Sequence, residues 1–70
     1  MGKLAGISHL KAIRALEKAG FRIIRQSKHV ILSDGKCVVT IPRANPINAY
    51  TMGSIIRDAE LTIDEFRRLL

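Results

Sequence analysis

The chain has 70 residues, a formal net charge of +6 and 47% hydrophobic residues. That is one domain's length, apolar enough for a single core and too apolar for a disordered chain. One cysteine, Cys37, excludes an intramolecular disulfide and a Cys-rich zinc site, and no apolar run approaches the ~20 residues of a membrane span. The first six residues also lack the apolar stretch of a secretory signal. Together these features lead us to expect a soluble protein in the cytoplasm, where thiols stay reduced.

The charge is unevenly spread. Residues 1–43 hold nine Lys or Arg against two acids, Glu17 and Asp34, whereas residues 44–70 hold three against four. A positive field concentrated on one part of a small domain attracts polyanions and speeds their encounter, which favours a nucleic-acid partner.

In chain order, Ser8 is placed to cap a first helix over residues 9–19. Leu10, Ile13 and Leu16 recur there at helical spacing, and Lys11, Arg14 and Lys18 project away. Gly20 stands where a left-handed residue ends such a helix, with Phe21 as its apolar contact. Residues 21–26 read as a strand in which Phe21 and Ile23 alternate with Arg22 and Ile24. Residues 29–33 and 36–41 are β-branched and apolar, separated by Asp34-Gly35, a strong hairpin signal.

A two-residue turn at that point would set Ser33 opposite Lys36, Leu32 opposite Cys37, Val30 opposite Val39 and His29 opposite Thr40. One face then carries Val30, Leu32, Cys37, Val39 and Ile41. The other carries His29, Ile31, Val38 and Thr40, so His29 is expected on the open side of the sheet. Residues 42–50 read as a shaped loop. Thr51 can cap a second helix running to about residue 59 with Met52, Ile55, Ile56 and Ala59 buried, and Thr62-Ile63-Asp64-Glu65 is a capping box for a last short helix. The order αβββαα gives an α+β domain, a three-stranded antiparallel sheet with helices on one face.

Few residues can carry chemistry. No Gly-rich phosphate loop, metal-ligand spacing or Ser-His-Asp set is present, so no cofactor or metal is expected. Of the two histidines, His9 reads as an exposed residue at the start of the first helix. His29 opens a strand and lies near Arg25, Lys28 and Thr40 in the expected hairpin.

Several segments together resemble one family. Leu16-Glu17-Lys18-Ala19-Gly20-Phe21, Arg25-Gln26-Ser27-Lys28-His29 and Ser33-Asp34-Gly35 are similar to the HicA toxin ribonucleases of bacterial toxin–antitoxin pairs. So are Thr40-Ile41-Pro42, Ile56-Arg57-Asp58-Ala59 and Thr62-Ile63-Asp64-Glu65-Phe66, and the resemblance runs from about Ser8 to Leu70. It implies a fold like the double-stranded-RNA-binding domain, metal-independent cleavage of mRNA, a catalytic histidine at His29, and a HicB-type antitoxin that covers it. Arg25, Lys28, Lys36 and Arg43 are the expected RNA-binding cations. The chain departs from the family in having Ser27-Lys28 where Gly-Ser usually precedes the histidine. It also has Ala44 where many relatives carry a second histidine, and Glu60 where a helix-ending Gly is common.

One histidine can suffice because RNA carries its own nucleophile. Removing the 2′-OH proton lets that oxygen attack the adjacent phosphorus, and an imidazole with an ordinary pKa near 6.5 is largely in its basic form at neutral pH. Two other readings fit the residues. One is a non-catalytic RNA-binding module of the same fold, although residues 51–56 lack the lysines such modules place at their last helix. The other is a protein-interaction domain whose basic face meets an acidic partner.

Overall fold

The computed structural model describes residues 6–70, and the reading of the extreme N-terminus made above lies outside them. Helix α1, His9–Lys18, is followed by strands β1, Arg22–Gln26, β2, His29–Ser33, and β3, Val38–Pro42, and then by helices α2, Ala49–Asp58, and α3, Ile63–Leu69. The strands form one antiparallel sheet in the order β1-β2-β3. This is the αβββαα layout, like the double-stranded-RNA-binding domain, that the resemblance implied.

Local signals explain where the helices start and stop. The Ser8 hydroxyl accepts the Lys11 N–H at 3.2 Å and opens α1. Gly20, at φ 101°, closes it: the Gly20 N–H reaches the Glu17 carbonyl and the Phe21 N–H reaches that of Leu16. In α3 the capping box forms as expected, with the Thr62 hydroxyl accepting the Glu65 N–H and the Glu65 carboxylate accepting the Thr62 N–H. Helix α2 begins three residues earlier than a cap at Thr51 would place it. Asn48 is its cap, accepting the Tyr50 N–H at 2.8 Å, because the Asn amide oxygen reaches the first free donors before Thr51 can.

The β2–β3 register differs from the expected one by two residues. Ser33 faces Val38, Leu32 faces Val39, Ile31 faces Thr40, Val30 faces Ile41 and His29 faces Pro42. The cause lies in the loop. Ser33 Oγ accepts the Gly35 N–H, and Asp34 Oδ1 accepts the N–H groups of both Lys36 and Cys37, at 2.9 and 2.7 Å. These bonds hold Lys36 and Cys37 in the turn, so β3 starts at Val38. A shift of two leaves every side chain on its expected face.

The core lies between the sheet and the helices. Val30, Leu32, Cys37, Val39 and Ile41 line the sheet side; Ala12, Ile13, Ala15, Leu16, Met52, Ile55, Ile56 and Phe66 line the helical side. Helices α1 and α2 pack on β3, and α3 packs on both of them. Strand β1 is the outer edge of the sheet and all five of its residues are exposed, Ile23 included, against the inward position expected for it. A bulge between Ile23 and Arg25 leaves Ile24 without a partner and breaks the alternation that the expectation assumed. Among the described residues, no helix is long and apolar enough to cross a membrane.

Candidate active site

The open face of the sheet is built by alternation. With Val30 and Leu32 turned into the core, His29 and Ile31 must face the other way, and so must their cross-strand partners Pro42 and Thr40. His29 is exposed, at the end of β2 that abuts the β1–β2 turn. That turn is tight: Ser27 donates its N–H to the His29 carbonyl at 3.1 Å. Arg43, just past β3, donates from Nε to the Ser27 carbonyl, also at 3.1 Å. The histidine therefore sits at a corner where all three strands are tied together.

Three of the four cations expected to bind RNA share this corner. Lys28 lies in the turn next to His29, Arg43 is bonded to that turn, and Arg25 is the cross-strand partner of Ile31, one residue pair along the open face. Lys36 lies elsewhere. It belongs to the β2–β3 loop at the opposite end of the sheet, with Nζ 3.8 Å from the Glu60 carboxylate. The two ends of β2 are about 13 Å apart at ~3.3 Å per residue, so Lys36 can meet a ligand at His29 only if that ligand runs along the sheet.

The Lys36 end has its own electrostatics. The Cys37 and Lys36 N–H groups hold the Asp34 carboxyl below its usual range, and burial pushes the Cys37 thiol up, helped by the carboxylates of Glu60 and Asp34. A thiol held protonated in the core is a packing group rather than a nucleophile.

Two positions that depart from the family pattern are explained by their surroundings. Ala44 is half-buried and packs against the core, and its carbonyl accepts the His9 N–H at 3.1 Å. Glu60 ends α2 with φ 59°, its N–H reaching the Arg57 carbonyl while that of Leu61 reaches Ile56. This is the turn that Gly20 makes after α1, made here by a residue with a Cβ. His9, expected to be exposed, is half-buried, and its ring Nδ1 lies 3.2 Å from Asn45 Oδ1.

Comparison with known families adds a match over residues 11–61 to the model for the HicA toxin of bacterial toxin–antitoxin systems. The chain belongs to the HicA toxin family. The match begins at Lys11, inside α1, and takes in the sheet and α2, so His29 lies within it. No curated protein and no solved structure matches the chain. Among the described residues of this HicA-family chain, no three His, Cys, Asp or Glu residues are grouped as a metal ion would require.

Proposed function

We propose that this protein is the toxin of a type II toxin–antitoxin pair and acts as an endoribonuclease that cleaves mRNA in the cytoplasm, with His29 as general base on the 2′-OH. The observation that supports this most is the exposed imidazole at one corner of an uncovered sheet face, with Arg25, Lys28 and Arg43 at the same corner.

In this reading the His29 ring takes the 2′-hydroxyl proton. The O2′–P bond forms, the P–O5′ bond breaks, and the products are a 2′,3′-cyclic phosphate and a free 5′-OH. The three cations hold the phosphate and stabilise the charge that builds on its oxygens, an effect that grows where water is excluded. General base catalysis supplies typically 10²–10⁴-fold. Lys36, at the far end of the sheet, contacts a more distant phosphate of the same strand. A HicB-type antitoxin silences the site by covering the open face.

The experiment is to incubate the purified protein with end-labelled RNA in EDTA and identify the new termini. Cleavage that persists in the chelator and leaves 2′,3′-cyclic phosphate is the expected result. Binding without cleavage would make the protein an RNA-binding module. Cleavage that stops in EDTA, or that leaves 3′-OH ends, would replace the imidazole-base mechanism with a metal-dependent one.

A further inference from the structure

The sheet has a second end, away from His29, and an open cavity of about 510 Å³ lies there, lined by Gly20, Arg22, Ile24, Ser33, Asp34 and Gly35. That volume falls within the roughly 300–1,000 Å³ typical of ligand pockets. We infer that the cavity seats one unpaired base of the RNA strand whose phosphodiester lies at His29, with Arg22 holding that base. This rests on the ribonuclease reading given above.

Alternation puts the cavity on the same face as His29. His29, Ile31 and Ser33 project from one side of β2, and Arg22 is the cross-strand partner of Ser33. Ile24 stands two positions after Arg22 and lines the same cavity. It is 60% exposed, and Val38, which faces Ser33 from the other side, is 59% exposed, so apolar surface continues along this end of the open face. Gly20 and Gly35 bound the cavity from the two turns. A Cβ at either would meet nothing within 4 Å, so the space beside both is open.

This lining suits a base better than a phosphate. Arg22 is exposed and makes no ion pair among the described residues. Asp34 lines the same cavity, and its carboxylate is fixed in the turn by the Lys36 and Cys37 N–H groups. A fixed negative charge opposes a phosphate there. A base is neutral, offers ring acceptors to a guanidinium and has a flat face that can lie on Ile24. Ser33 Oγ accepts the Gly35 N–H, and its own hydroxyl proton remains to be donated. A base held in this way cannot also be stacked in a duplex, so the strand is single at this position.

The spacing limits which base it is. Ser33 and His29 are four residues apart on one strand, about 13 Å at ~3.3 Å per residue. Stacked nucleotides advance ~3.4 Å each, so the seated base lies within about four nucleotides of the cut, and closer where the strand is extended. The protein thus reads RNA beyond the linkage that it breaks.

The experiment removes the bases of one RNA singly, leaving every sugar and phosphate in place, and measures kcat/KM for each. At one position within that span, outside the two nucleotides joined by the cleaved bond, the missing base should cost the wild type about 10-fold. Arg22→Gln should lose a similar factor on the intact RNA and nothing further on that abasic one, because its partner is already gone. Arg14→Gln removes the same charge from the exposed side of α1. It should lose less on the intact RNA and keep its full sensitivity to the missing base.

Equal sensitivity of wild type and Arg22→Gln to the missing base would overturn the inference. So would a scan with no sensitive position beyond the cleaved linkage, or an Arg22→Gln loss no larger than that of Arg14→Gln. Wild-type protein that cleaves no RNA would overturn the ribonuclease reading instead, and the same scan is then read as binding by fluorescence anisotropy. A loss shared between one base and Arg22 would keep the cavity as the base seat of an RNA-binding module, and its absence would overturn both readings.

Discussion

Glu60 and Gly20 occupy equivalent positions in two copies of one helix-ending motif, and only Gly20 does so without a Cβ penalty. Glu60 sits at φ 59°, where an L side chain crowds the backbone, at a cost of roughly 1 kcal/mol or more. Its ion pair with Lys36 spans 3.8 Å between two well-exposed side chains and offsets little of that. Glu60→Gly is therefore expected to raise stability by about 1 kcal/mol, a melting-temperature gain of roughly 4–8 °C for a domain this size. A thermal melt that falls or does not move would refute the strain. At this scale His29 was legible in the sequence, because alternation against Val30 and Leu32 decides its face. The surroundings of His9 were not: its partner Asn45 lies 36 positions away in the chain, and no periodicity connects the two.

At the scale of elements, the hairpin shows how a short loop decides a register. Asp34-Gly35 correctly marked a turn between two strands, but the turn's length depended on which side chains would bond which N–H groups. Asp34 takes two of them, and Cys37 moves out of the strand while keeping its place in the core. The same bonds make a pH prediction. The Cys37 and Lys36 N–H groups hold the folded Asp34 carboxyl below its unfolded value of about 3.9. Its charge thus contributes stability above that unfolded value, and the contribution is lost as pH falls through the lower folded one. Asp34→Asn keeps an oxygen for the turn without the charge. Urea midpoints followed downward from pH 5 should fall less steeply in the variant than in the wild type, and parallel curves would contradict the assignment.

Across the whole molecule, the layers were legible because caps and alternation are local signals that agree with one another. Ser8, Gly20 and the Thr62–Glu65 box each bound a helix where the apolar spacing says one should lie. What local signals could not reveal is the placement of charge. Nine cations in residues 1–43 suggested a single basic surface, yet the fold sends Arg25, Lys28 and Arg43 to one end of the sheet and Lys36 to the other. Strand β1 likewise read as a half-buried strand from its isoleucines, and the sheet order and bulge made it an exposed edge.

The two faces of the sheet divide the work: one holds the core against three helices, and the other is left open with His29 at its corner. The central claim is that this histidine removes the 2′ proton. It is tested most directly by the single-turnover cleavage rate of His29→Ala against wild type on one RNA, with both proteins shown to be folded. Because His29 is exposed, the substitution should leave stability nearly unchanged and lower the rate by about 100-fold or more. Equal rates from the two proteins would contradict the account.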